Sequence, residues 1–178
     1  MTDFTDFELL DRARSGDAEA MDHLFKRHYT MVYRLAWRWC GARDDAEDIA
    51  QETFVKLVRK LDTFRRRSSF KTWLYRIAVN TARDFSRSRR ARLSREEEYD
   101  EEGDHNPGSG PVDGTTAGRL REALDSLPAA QREAVLLVFS EGMSHREASQ
   151  VLGCREVTVS WRIFRARAQL KTFLEQGT

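Results

Sequence analysis

The sequence predicts an all-α protein made of two small helical domains joined by a flexible acidic linker, and three observations lead there. Apolar residues recur at steps of three and four across most of the chain, and no stretch alternates at the period of two that a half-buried strand requires. Between residues 94 and 118 this periodicity stops, and the segment SREEEYDEEGDHNPGSGPVDGTTAG is acidic, then rich in Gly, Pro and Ser. A length of 178 residues suits two compact modules with a connector. The expected division is a first domain over 1–93, a linker over 94–118 and a second domain over 119–178.

In the first domain, Leu24, Phe25, Val32, Leu35, Ala36 and Trp39 line one side of a helix that stops near Gly41. Asp44, with Glu47 three residues later, has the spacing of a capping box and opens a second helix. Ile49, Thr53, Leu57 and Leu61 follow it at four-residue steps. Past the basic loop FRRRSS, the residues Leu74, Ile77, Ala78, Thr81 and Phe85 supply the apolar stripe of a third helix, which continues into an arginine-rich end. Three amphipathic helices can enclose a core.

The second domain starts near Arg119, where Leu120, Leu124 and Leu127 give a short amphipathic helix that Pro128 punctuates. Proline suits the first turn of the next helix, because its missing N–H would have no intrahelical partner there. That helix ends near Gly142. Ser144 and Glu147 make a further capping box, and Val151, Leu152 and Gly153 close a helix of barely two turns. A longer helix with Val159, Ile163, Ala166 and Leu170 on its inner side completes a helix-turn-helix.

Composition narrows the function classes. Hydrophobic residues at 40% and charged residues at 33% allow modest cores under a heavily ionised surface. The net charge of +1 names no partner, so the distribution of charge must. No run of about 18 apolar residues exists and the N-terminus is acidic and polar, so neither membrane insertion nor secretion is expected, and the protein is assigned to the cytoplasm. Cys40 and Cys154 fall in different domains without metal-ligand or disulfide spacing. The histidines are scattered, and no nucleophile, metalloprotease or phosphate-loop motif is present, so no enzyme activity, metal or cofactor is expected.

Three helix faces carry the expected function. On the helix from Ala46 to Leu61, Asp48, Gln51, Glu52 and Val55 cluster away from the apolar stripe; this is either a solvated face or one that docks on a basic partner. On the helix from Lys71 to Arg90, Trp73, Arg76, Asn80, Arg83 and Arg87 lie opposite the core. Guanidinium groups suit phosphates, an amide can pair with a base edge, and an indole can stack on an unpaired base. Arg65, Arg66 and Arg67 of the preceding loop and Arg89, Arg90 and Arg92 of the tail surround that stripe with positive charge. The alternative is Trp73 wedged in the core with arginines that merely solubilise. On the last helix, Arg155, Thr158, Trp161, Arg162, Arg165 and Gln169 face outward from the apolar seam, and its N-terminal part is expected to enter a major groove, where Arg pairs with guanine and Thr touches a thymine methyl. A helix-turn-helix used only for packing or protein contact is the other reading. By residue chemistry alone, a stand-alone DNA-binding regulator or a protein-binding adaptor would also fit, although no dimerisation heptad is present.

Three blocks in order, DAEDIAQETFVKLVRKLDTF, SSFKTWLYRIAVNTARDFSRSRR and LPAAQREAVLLVFSEGMSHREASQVLGCREVTVSWRIFRARAQL, resemble the extracytoplasmic-function group of the sigma-70 family. The resemblance covers nearly the whole chain outside its first residues and the linker. It implies that Asp48, Gln51, Glu52 and Val55 dock on the clamp helices of the largest RNA polymerase subunit. Arg65, Arg66, Arg67, Trp73, Arg76, Asn80, Arg83 and Arg87 would open and hold the minus-ten element on the non-template strand. Arg155, Thr158, Ser160, Trp161, Arg162 and Arg165 would read the minus-thirty-five element, with the same domain leaning on the flap of the second-largest subunit. An anti-sigma factor and a stress or envelope response are implied as well, and the linker would run toward the RNA exit path. The chain departs from the family pattern at Ser149, where a small alanine is usual, at Val157, where glycine is common, and at Ser160 and Trp161, where a lysine-serine pair is usual.

Overall fold

The computed structural model describes residues 4–97 and 116–176, with side chains described at 4–92, 118–173 and 175. Every regular element among them is helical, and the chain divides into two compact units, Met1–Gly108 and Ser109–Thr178.

The first unit has four helices, α1 (Asp6–Arg14), α2 (Ala18–Cys40), α3 (Arg43–Lys60) and α4 (Phe70–Glu97), with a single 3-10 turn at Leu61–Thr63. The sequence argument found only the last three. Helix α1 opens with a capping box in which Thr5 and Glu8 satisfy each other's backbone N–H groups, and it buries Leu9, Leu10 and Ala13. Helix α2 packs against the other three and buries Leu24, Val32, Leu35, Ala36 and Trp39. It ends where Gly41 takes a left-handed φ of 75° and donates its N–H to the Trp37 carbonyl.

The capping box assigned to Asp44 and Glu47 does not form. Ala42 is the cap residue of α3, without a side-chain bond, and Glu47 accepts from Arg43 Nε at 3.0 Å. Asp44 and Asp45 lie inside the first turn, where a carboxylate favours the helix through its dipole rather than by capping it. The stripe of Ile49, Thr53, Leu57 and Leu61 is buried, and Thr53 Oγ1 returns its proton to the Ile49 carbonyl at 2.7 Å. On α4, Leu74, Ile77, Ala78 and Thr81 are buried, while Phe85 is only half-buried.

Helix α4 continues to Glu97 and α5 (Thr116–Asp125) starts before Arg119, so both helices run into the stretch assigned to the linker. Arg, Ala, Leu and Glu are strong helix formers, and at the end of α4 their propensity extends regular structure beyond the last core contact. The rest of that stretch, 98–115, lies outside the described residues.

In the second unit α5, α6 (Ala129–Val135) and α7 (His145–Leu152) all pack on α8 (Glu156–Gln176). Ala123 and Leu127 bury the inner face of the first of these segments, whereas Leu120 is exposed and Leu124 half-buried, which shifts the stripe expected from leucines alone. Pro128 caps α6, which passes into a π-turn at Leu136–Ser140 before Gly142. The capping box of Ser144 and Glu147 forms in full. Gly153, at φ 66°, turns the chain from α7 toward α8, and Val159, Ile163 and Ala166 form the buried seam.

Candidate nucleic-acid interface

Helices α3 and α4 form a groove of about 630 Å³ in the first unit. Trp73, Arg76 and Asn80 reach it from α4, Ile77 lies at its base, and Lys56, Arg59 and Lys60 line it from α3. These three cations sit at i, i+3 and i+4, a spacing that puts them on one flank of a helix. The sequence argument did not single them out, although that spacing was available.

Asp84 closes one end of the groove, accepting from Lys56 Nζ at 3.2 Å and from Arg87. Partial burial pushes the Asp84 carboxyl up, but the hydrogen bonds from Arg87 and Lys56 outweigh it and hold the group below the usual carboxylate range. Asn80, which lines the groove, accepts from Arg83 Nη1 through its amide oxygen at 3.2 Å, and its amide N–H groups are donors. Trp73 is half-buried: its ring centroid lies 4.9 Å from that of Phe64 and 6.0 Å from that of Phe70. The expectation that Trp73 stands opposite the core is therefore corrected, because the aromatic ends of the loop attract one face of the indole while the residue still lines the groove.

The loop over 64–70 is fixed at both ends. Phe64 and Phe70 are buried, Arg14 donates to the carbonyls of Leu61 and Phe64 at 2.8 and 2.6 Å, and Ser69 Oγ accepts the Thr72 N–H at 3.1 Å as α4 begins. Arg65, Arg66 and Arg67 are all exposed. Arg66 holds a φ of 54°, pairs with Asp11 and lies 5.3 Å over the Phe7 ring. It turns toward α1, a contact that the placing of Arg65, Arg66 and Arg67 around the aromatic stripe did not include.

The outer side of α3 displays Asp48, Gln51, Glu52 and Val55, all exposed, with Val58 continuing the strip. The Glu52 carboxylate is 3.9 Å from Lys56 Nζ, so the acidic face borders the basic groove on the same helix.

Arg155, just before α8, and Ser160, Trp161 and Arg165 on it are exposed, while Thr158 and Arg162 are half-buried. The Arg165 guanidinium lies 5.9 Å over the Trp161 ring. Arg162 reaches back to Cys154 Sγ at 3.8 Å, and Ser160 Oγ is 2.8 Å from His145 Nδ1. Ser160 and Arg162 thus also link α8 to the residues that precede it, which the assignment of an outward face did not include. Ser149 is buried on α7, where its hydroxyl donates to the Arg146 carbonyl at 2.7 Å.

Residues 24–92 match the family described as sigma-70 region 2, and residues 117–170 match sigma-70, region 4. The chain is 40% identical over 168 residues to the ECF RNA polymerase sigma factor SigE of Mycolicibacterium smegmatis, a match that covers 90% of this chain and 65% of that protein. It therefore spans slightly less than two thirds of that relative. To the RNA polymerase sigma-H factor of Pseudomonas aeruginosa it is 33% identical over 186 residues, covering 98% of this chain and 96% of that one. The sigma factor RpoE of Bartonella quintana, solved in complex with the anti-sigma factor NepR, superposes with a TM-score of 0.67 at 27% identity, over 86% of this chain and 96% of that chain. With both regions matched in order and nearly the full length shared with sigma-H, the protein belongs to the extracytoplasmic-function sigma factors of the sigma-70 family.

Proposed function

We propose that this sigma factor binds core RNA polymerase through the outer face of α3, captures the minus-ten element as single strand in the α3–α4 groove, and presents α8 to the minus-thirty-five element as duplex. The observation that carries the reading is the groove itself: Lys56, Arg59, Lys60 and Arg76 surround a half-buried tryptophan and an asparagine with amide donors. Cations follow a phosphate backbone, and an aromatic platform stacks a base that has left the duplex. Arg65, Arg67, Arg83 and Arg87 extend that field.

Asp48, Gln51, Glu52 and Val55 are the assigned contacts to the clamp helices, and the second unit is assigned to the flap. Arg155, Thr158, Trp161 and Arg165 are the assigned contacts to minus-thirty-five DNA, with Ser160 and Arg162 holding that surface to α7 and Cys154 as well. Each contact alone is weak. The polymerase holds both promoter elements near their sites and raises the effective concentration of the second contact once the first is made. An anti-sigma factor that covers these surfaces would keep the protein inactive until a stress signal removes it, and the co-crystallised relative supports that partner class.

The test is run-off transcription with purified core enzyme and a genomic DNA pool. New, factor-dependent start sites are expected. Glu52→Lys or Asp48→Lys should weaken core binding about a hundredfold or more, since a reversed charge at a complementary face costs several kcal/mol. Core enzyme that starts nowhere new, or full core binding by both variants, refutes the assignment.

A further inference from the structure

The outward line of α8 is apolar. Val157, Trp161 and Phe164 are 78%, 57% and 70% exposed, and their spacing of four and then three residues aligns them along the helix. At about 100° per residue, this line falls roughly opposite the seam of Val159, Ile163 and Ala166, so packing within the unit does not account for it. It is also distinct from the Thr158, Arg162 and Arg165 flank.

Cations stand on both sides of the line. The Arg165 guanidinium lies 5.9 Å over the Trp161 ring on one side, and on the other the Arg167 guanidinium lies 5.4 Å over the ring of Phe139, which is itself 54% exposed. An apolar strip between two cationic rails is complementary to a groove with anionic walls and an apolar feature on its floor. The major groove has phosphate walls about 12 Å apart, and the apolar group that its base edges present is the C5 methyl of thymine. From Val157 to Phe164 the helix rises about 10 Å, which is about three base-pair steps.

We infer that Val157, Trp161 and Phe164 read thymine C5 methyl groups, so that the element recognised by α8 carries methyl-bearing A·T pairs within about three consecutive steps. This rests on the proposal that the second unit binds duplex promoter DNA, and it adds two residues, Val157 and Phe164, to the set that decides which sequence is bound. Polar side chains read donors and acceptors; this helix reads methyl groups in addition.

The experiment uses the full-length protein assembled with core polymerase and a promoter recovered by run-off transcription. Thymines of the minus-thirty-five element are replaced by deoxyuridine, which removes one methyl and keeps every hydrogen-bonding group, and affinity is measured by competition. Each contacted methyl should account for about a fourfold loss. The double substitution Trp161→Ser with Phe164→Ser should bind thymine and deoxyuridine promoters alike, while still assembling with the core enzyme. Equal affinity of the unsubstituted protein for both promoters overturns the inference and leaves the sigma-factor reading in place. So does a double variant that keeps the discrimination, or one that loses polymerase binding while its promoter preference is unchanged, since that outcome would assign the strip to a protein contact. Absence of any factor-dependent initiation overturns the inference together with the function on which it rests.

Discussion

The two units differ in where they place part of their aromatic and charged residues. In the first, one set of aromatic side chains clusters inward, with Phe25 packed on Phe54 and Phe64, Phe70 and Trp73 forming a contiguous group beneath the loop, while Phe7, Tyr29 and Trp37 stay exposed. Beside pairs within one helix, such as Lys26 with Asp22 and Arg43 with Glu47, it has ion pairs that span separate elements. Asp6 on α1 takes Arg27 at 2.9 Å and the buried His28 at 3.0 Å on α2, Lys56 joins α3 to Asp84 on α4, and Arg89 on α4 pairs with Asp45 on α3. In the second unit the core is aliphatic, Phe139, Trp161 and Phe164 are exposed, and the described ion pairs are near in sequence, such as Arg121 with Asp125 and Arg132 with Asp125. Surface pairs contribute about 0–1 kcal/mol each, so the long-range set in the first unit does more to fix helix positions than to stabilise the fold. On the proposed reading, a groove that holds a strand needs its walls held apart, and a single helix that enters a DNA groove needs only its base secured.

The largest effect that could break this comparison is in the cores. Leu24→Ala should destabilise the first unit by about 2–5 kcal/mol, and calorimetry should show its transition lowered with that of the second unit unchanged. A single coincident transition would mean that the units are not independent. Next is Arg162→Ala, expected to weaken minus-thirty-five binding by about 1–3 kcal/mol if the residue touches a base. An unchanged promoter preference would confine Arg162 to its contact with Cys154, and α8 would then read DNA through its other faces. The two capping boxes should behave alike despite the contrast between the units: Thr5→Ala and Ser144→Ala should each cost about 1 kcal/mol in denaturant unfolding, and a much larger loss at Thr5 would show that α1 organises more than itself.

The smallest effect is acid sensitivity. In the first unit, hydrogen bonds from Thr5 hold Glu8 below its ordinary value, the Arg66 side chain does the same for Asp11, and the Ala20 N–H and Arg12 do so for Asp17. A carboxylate with a lowered folded pKa contributes stability above its unfolded value, here 3.8 for aspartate and 4.5 for glutamate, and loses it as pH falls through the folded value. The first unit should therefore lose thermal stability progressively below about pH 4. Asp17→Asn should flatten the decline, and an unchanged pH profile would contradict the role of these bonds.

Most of the architecture was legible because the long helices carry unbroken stripes: α2, α3 and α8 were each found from their buried positions. Helix α1 escaped although Thr5 and Glu8 spelled its start just as Ser144 and Glu147 spelled that of the shorter α7. Asp44 and Glu47 show the reverse error, since the same pattern can lie inside a first turn and only the backbone decides which residue is the cap. Leu120 was placed inward on hydrophobicity, whereas the smaller Ala123 fits the close approach to α8. For the candidate site, the exposed positions on α3 were readable from angular position alone. The basic trio of Lys56, Arg59 and Lys60 was not recognised, because its meaning depends on the neighbouring helix that completes the groove. The inward lean of Trp73 and the turn of Arg66 toward α1 depend on contacts between residues distant in sequence, which spacing cannot supply.

Arg66 is the non-glycine residue with positive φ among the described residues, and Asp11 and Phe7 at the start of the chain hold it there. The recognised region 2 match begins only at residue 24, so a fragment trimmed to that boundary would discard the anchor of the loop along with Leu9 and Leu10. If the proposed assignments hold, such a truncate keeps the α3 strip proposed for polymerase but mishandles melted promoter, separating recruitment from strand opening through a cut made far from either surface.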